Sequence, residues 1–550
     1  MQRTGGEAAV AALEALGVEH VFGIVSVHNL PIVDALGRST IEMIPVRHEQ
    51  GAVHAADGYA RATGRLGVAL TSTGPGAANA MGGLIEAYHA SSRVLMITGQ
   101  SETRWLDKGR STIHEFPRQL EMLRTVTRRS EQVLHRADVF DTVADVARDI
   151  LSGRPRPGAV EIPIDLQYAK ADDSAGSLRP PVRQAPDEAS VARAVDLLAA
   201  ARRPLLWAGG GVVSGGAGGA LIELAEALGA PVLTSVEGRG AIAEDHPLAL
   251  GPNGDMAALD TVVAAADVVL AVGTRFQLGS NLQMGLSIPG RLIHIDADPG
   301  SIDRFHPVDL GIVADADLAL RALLDSLPAD RTPPEADYVE RAVAARRTID
   351  TDGHAAMGAD MRQVMADIAA TIGRDDIVVK DSTVAGVVWA NRLLPVLAPR
   401  TSMRPVSSSI GPGLPLAIGA AVGSGRRTVV IQGDGGFMLS IGELATAVQL
   451  GAPVVVCVFN DRGYGILRWI QDLMLQGRRA AVDLQTPDFA GVARSMGMAA
   501  WSVANSAEFG NAFRAACELD GPTLLDIDIT GFEPMQIVPQ APSSRGRRVR

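Results

Sequence analysis

An aspartate set among glycines at the end of an apolar run, VVIQGDGGF (Val429 to Phe437), can do two things. Gly-Asp-Gly-Gly is good turn chemistry. The same glycines also let backbone N–H groups approach an anion while the carboxylate holds a cation. A second apolar run, PVVVCVFND, ends at Asn460, 26 residues after Asp434. A crossover helix, Ser440 to Leu450, would join the two as adjacent parallel strands, leaving both C-terminal ends on one sheet edge. Asp434 and the Asn460 amide oxygen then reach one point, with the Arg462 carbonyl as a third oxygen. So few oxygen ligands suit Mg²⁺ that also takes phosphate oxygens and water. The amides of Gly433, Gly435 and Gly436 would complete a diphosphate cradle. Two unrelated strand-end turns are the alternative for GDGG alone; strand, helix, strand and Asn at this spacing favour the shared site.

The elements around this pair belong to a large α/β chain. Its 550 residues are too many for one core. Two proline-bearing polar stretches, Ala171 to Ser190 and Ser326 to Thr348, divide it into blocks of about 170, 140 and 190 residues. Each block alternates short β-branched runs with alanine-rich helical patterns, the signature of parallel sheets with crossover helices. The expected fold is α/β, three doubly wound parallel-sheet domains at 1–170, 190–326 and 357–540, followed by a basic tail, 541–550, that reads as a disordered end. A net charge of −12 argues against nucleic acid. No apolar run approaches the ~18 residues that cross a bilayer. Two cysteines, Cys457 and Cys517, lack metal-ligand spacing and build no disulfide framework, so a reducing cytoplasm fits.

The GDG-to-Asn pattern resembles the cofactor motif of thiamine diphosphate enzymes. Such a motif demands a glutamate in the first block, and IPVRHEQGAVHAADGYARATG places Glu49 after the strand IEMIPV. Alone, those residues could be helix capping and dipole chemistry; with the downstream motif they resemble the family's glutamate segment. TSTGPGAANA, Thr71 to Ala80, matches the glycine-proline turn that follows in acetolactate synthases and their relatives. The resemblance spans essentially the whole chain and implies a pyrimidine-binding, a central Rossmann-like and a diphosphate-binding domain. It implies that Glu49 activates the cofactor's pyrimidine ring and that Pro75, Asn79 and Tyr464 contact the cofactor. Ser408 and Ile410, in SSSIGPGLPLAIGAAVG, would support the bent cofactor, and the amides of Val384 and Ala385 would approach its diphosphate. The family puts the glutamate and the metal site in different subunits, so a homodimer is the smallest active unit implied, and a homotetramer is expected.

Departures from acetolactate synthases bear on the reaction. Their Arg-Phe-Asp-Asp-Arg signature for FAD appears as RFQLGS, Arg275 to Ser280, which leaves FAD an open alternative without sequence support. Where they carry Tyr-Pro-Gly-Gly and Phe-Gln-Glu, this chain has GIVSVHNLP and STIHEFPRQ, bringing His28 and His114 into segments that face the reaction centre. A histidine titrating near neutrality can donate a proton after CO₂ loss; each is equally readable as a loop residue. The resulting expectation is decarboxylation of a 2-oxo acid and ligation of the acyl unit to a second carbonyl. The alternative is simple decarboxylation to an aldehyde, with a guanidino-2-oxo acid as one substrate. A non-catalytic or nucleotide-binding relative is the remote third reading.

Overall fold

The computed structural model describes residues 2–172, 178–254, 256–276 and 288–534. The basic tail, the end of the third predicted block and part of RFQLGS therefore lie outside the described residues. Eighteen strands form three six-stranded sheets, parallel throughout. The first sheet holds β1 (His20–Gly23), β2 (Glu42–Pro45), β3 (Gly67–Thr71), β4 (Val94–Gln100), β5 (Arg129–Gln132) and β6 (Gly158–Pro163). The middle sheet holds β7 (Pro204–Ala208), β8 (Val232–Thr234), β9 (Ala249–Gly251), β10 (Val268–Val272), β11 (Arg291–Asp296) and β12 (Leu310–Val313). The last holds β13 (Ile377–Lys380), β14 (Ser402–Met403), β15 (Thr428–Gly433), β16 (Val454–Asn460), β17 (Ala499–Val503) and β18 (Thr523–Asp528). The β-branched runs are buried on both faces, as parallel strands between helical layers must be. The doubly wound α/β fold expected from the sequence is the fold observed.

Strand order decides where a ligand can sit. The outer sheets share one order, β2-β1-β3-β4-β6-β5 and β14-β13-β15-β16-β18-β17. The chain leaves the first strand toward one side and returns on the other, opening a crevice beyond the C-terminal ends of β1 and β3, and of β13 and β15. The middle sheet runs β9-β8-β7-β10-β11-β12, the order of dinucleotide-binding sheets.

Five helices matter for the site: α1 (Glu49–Thr63), α2 (Met81–Ala90), α3 (Gly413–Ser424), α4 (Leu444–Leu450) and α5 (Gly465–Met474). Glycine in the left-handed conformation ends α1 at Gly64 and α3 at Gly425. These two helices join the first and last sheets by close backbone approach. A Cβ on Gly58 would lie 1.9 Å from the Leu416 carbonyl oxygen, and one on Gly419 1.8 Å from that of Ala55. The alanine-rich sequence of α1 is thus packing as well as propensity.

Candidate active site

Glu49 opens α1. The His48 ring accepts a hydrogen bond from the Gln50 N–H at 3.1 Å, capping the helix. Glu443, just before α4 in the last domain, accepts from the N–H groups of Arg47 and His48, each at 3.1 Å. The glutamate's position is therefore set from two domains. Asn79 Nδ2 donates to Glu49 Oε2 at 3.0 Å, and Gly76, one residue past Pro75, passes so close that a Cβ there would meet Ser72 Cβ at 2.8 Å and Glu49 Oε1 at 3.1 Å.

Ser72 leads on to the histidines. Its hydroxyl lies 3.4 Å from His114 Nδ1, and the His114 ring centroid lies 5.5 Å from that of His28. Asn29 shapes the loop before them, donating to the Ile24 and Thr71 carbonyls at 3.0 and 3.3 Å. His28 is buried, 8% exposed, and burial followed by the charge of His114 holds its pKa below the usual histidine value. His114 is exposed with φ +59°, and its carbonyl presses on Gly74. Gln119, a residue the sequence reading passed over, ties this turn down. It accepts from the Gly74 N–H at 2.6 Å and Thr73 Oγ1 at 2.8 Å, and donates to buried Glu161 at 2.8 Å. Glu49, Pro75, Asn79, His28 and His114 thus gather at the crevice beyond β1 and β3.

The second half lies at the matching crevice of the last sheet. Asp434 is 1% exposed and accepts from the Gly463 N–H at 2.8 Å. Two of the three predicted glycines, Gly433 and Gly435, are demanded by a protein neighbour. A Cβ on Gly433 would meet Thr383 Oγ1 at 2.9 Å, next to Val384 and Ala385. A Cβ on Gly435 would enter the Tyr464 ring at 2.6 Å, and Gly436 faces Ile410. Asp381 at the end of β13 accepts from Gly411 and Gly413 N–H at 3.1 and 3.0 Å and from Gln432 Nε2 at 2.7 Å. It anchors the segment carrying Ser408 and Ile410.

The three predicted cation ligands, Asp434, Asn460 and Arg462, lie at the adjacent C-terminal ends of β15 and β16 and in the turn that follows. Asn460 donates to Asp526 at 3.1 Å, while its amide oxygen accepts from the Arg462 N–H at 3.2 Å and Thr486 at 3.3 Å. The Arg462 carbonyl accepts from the Leu484 N–H at 2.9 Å and Arg468 Nη2 at 2.8 Å. Asp461, the residue after β16, also lies beside Asp434 and pairs with Arg468 at 3.4 Å. Burial pushes Asp434 up, and burial followed by the Asp434 charge pushes Asp461 up to about 6.

A buried carboxylate at Asp434, with half-buried Asp461 beside it, fits a divalent cation, which removes the repulsion between the two charges. Among the described residues no group of three or more His, Cys, Asp or Glu is placed to hold a metal alone. The remaining ligands must be carbonyl, water or phosphate oxygens, as suits Mg²⁺ on a diphosphate. FAD fits less well: the crevice beyond β7 and β10, lined by Gly211, Gly273, Arg275 and Asp296, encloses about 170 Å³. That is below the ~300–1,000 Å³ of ordinary organic-ligand pockets.

Family models for the N-terminal TPP-binding, central and C-terminal TPP-binding domains of thiamine pyrophosphate enzymes match residues 3–122, 191–323 and 385–527. The chain belongs to the thiamine pyrophosphate enzymes. This enzyme is 36% identical to a Pseudomonas aeruginosa protein named as a 2-ketoarginine decarboxylase, over 95% of this chain and 94% of that one. It is 32% identical to a protein of Methanocaldococcus jannaschii named as an acetolactate synthase large subunit, over 97% and 93%. A structure described as a thiamin diphosphate-dependent enzyme from Mycobacterium smegmatis matches with a TM-score of 0.80 at 26% identity, over 96% of this chain and 99% of that one. It is an acetolactate synthase-like member of a family of carboligases and decarboxylases. No helix among its described residues is long and apolar enough to cross a membrane.

Proposed function

We propose that this thiamine pyrophosphate enzyme uses Mg²⁺ and decarboxylates a 2-oxo acid, releasing an aldehyde. The observation that carries the fate of the acyl unit is the His28–His114 pair, 5.5 Å between ring centroids and one hydroxyl, that of Ser72, from the Glu49 turn. Thiamine diphosphate supplies the carbon nucleophile and the sink for the electron pair left when CO₂ departs. Asp434, Asn460 and the Arg462 carbonyl would hold the Mg²⁺, and the amides around Gly433, Gly435, Gly436, Val384 and Ala385 would hold the diphosphate. Ile410, Ser408 and Tyr464 hold the ring system. Glu49, its other oxygen fixed by Asn79, moves a proton at the pyrimidine nitrogen. His114, exposed and next to buried His28, delivers the proton that ends the reaction.

Ligation to a second carbonyl is the second reading, favoured by the acetolactate synthase relatives. A cationic substrate tail finds no support at two acidic residues of the candidate region. Glu115 accepts from the Thr112 and Arg110 N–H groups at 2.9 and 3.2 Å, and Asp472 pairs with Arg479 at 2.7 Å. The guanidino acid is supported by the resemblance of the STIHEFPRQ stretch and by the name of a relative. We take the domains as 1–170, 190–326 and 357–540 and the active unit as a homodimer within a homotetramer, supported by the apolar side chains that α5 leaves exposed. Two free cysteines support a cytoplasmic setting.

The test is end-product analysis with thiamine diphosphate, Mg²⁺ and a panel of 2-oxo acids that includes pyruvate and 5-guanidino-2-oxopentanoate. Aldehyde equimolar with CO₂ is expected. A 2-hydroxy ketone or acetolactate would establish the second reading, and no CO₂ from any acid would reject both. Glu49→Gln is expected to lower turnover by at least ~100-fold.

A further inference from the structure

The first domain carries a buried charge cluster that the reaction above does not use. Arg61, on α1, sends Nε and Nη2 to the two oxygens of Asp57 at 2.8 and 2.6 Å and Nη1 to the Arg404 carbonyl at 2.7 Å. Only the shared Nη2 reaches Glu86 Oε1, at 2.6 Å. One guanidinium therefore serves two carboxylates, both with side chains 0% exposed. The second must find other donors, because an unmatched buried charge is costly. It finds them in the last domain. The Val406 N–H donates to Oε1 at 2.7 Å, and the Ser407 N–H and hydroxyl donate to Oε2 at 3.0 and 2.5 Å.

Those donors begin the stretch carrying Ser408 and Ile410. Ser408 sits at φ +65°, a left-handed backbone that serine rarely adopts. It is bracketed by Glu86 on one side and by Asp381, through Gly411 and Gly413, on the other. The Ser407 and Ser409 hydroxyls, 3.0 Å apart, close the turn between them. We infer that Glu86 is a positioning residue: its carboxylate holds the Val406–Ile410 segment in the shape that receives the cofactor. This rests on the reading of Ser408 and Ile410 as cofactor contacts.

Glu86→Gln tests it. An amide turns one acceptor oxygen into a donor that faces other donors, releasing the segment at Val406 or Ser407. Thiamine diphosphate, with Mg²⁺ in excess, would be titrated calorimetrically into the apo-protein of the full chain. The expected Kd is about tenfold or more above wild type, the weight of a hydrogen bond to a charged group. Ser407→Ala, which leaves the ion pairs whole, should raise Kd about threefold, and Ser407→Thr should restore it. Should Glu86→Gln fail to fold, the serine pair decides alone. Wild-type Kd in both variants overturns the inference, as does a lowered apo-protein melting temperature with unchanged Kd. A wild-type protein that binds no thiamine diphosphate rejects the proposed function, and this inference falls with it.

Discussion

Asn460 closes β16, and Asp461 follows it beside Asp434. Asn460→Ala is expected to weaken Mg²⁺ binding at least ~10-fold, measured as the Mg²⁺ dependence of cofactor binding, whereas Asp461→Ala, whose partner is Arg468, should change it less. The spacing from GDG to the end of the next strand was legible, because an apolar run has a visible end. The second use of the glycines was not: Gly435 also makes room for the Tyr464 ring, a contact far along the chain. Gln119 was hidden for a related reason: it acts on a turn 45 residues away. A second residue-scale outcome concerns His54, 2% exposed with Nδ1 unpartnered, whose pKa burial lowers to about 4. A depressed histidine favours folding above its unfolded pKa, about 6.5, and that stability is lost as pH falls from there toward about 4. His54→Gln should flatten the decline of stability between pH 6.5 and 4.5, a contribution of ~2–3 kcal/mol in chemical denaturation.

At the scale of elements, the crossing of α1 and α3 decides how rigidly Glu49 is presented. Gly58→Ala drives a Cβ onto the Leu416 carbonyl, and backbone, unlike a side-chain tip, cannot step aside. A loss of ~1–3 kcal/mol or more in chemical denaturation is expected. Gly219→Ala is the matched control: it lies on the helix Gly218–Leu228 with nothing within 4 Å of its Cβ, and should stabilise by ~0.5–1 kcal/mol. The long central strands and the alanine-rich helices were readable from their patterns. Short strands such as β14, two residues, and β9, three residues, were not, because pairing in the finished sheet rather than any local pattern makes them strands. The helix α5, LRWIQDLM within it, is amphipathic, yet none of its residues is buried.

For the molecule as a whole, that exposed face needs a cover. Leu473 and Met474 are 52% and 74% exposed, and Met438 and Leu439, just beyond the GDGG turn, are 44% and 64% exposed. Light scattering should find a dimer or larger, and Leu473→Asp with Met474→Asp should shift it toward monomer and lower specific activity together. The block order and three-domain plan were legible because linkers and alternation are local signals. Assembly entered only through the family resemblance, since an exposed amphipathic helix carries no sequence mark of what covers it. The shared strand order of the first and last sheets makes the two outer domains equivalent frames. Overlaying them strand on strand should lay the Thr71–Asn79 turn on the Gly433–Phe437 turn, so that one sheet edge, used twice, carries Asn79 in one domain and Asp434 in the other.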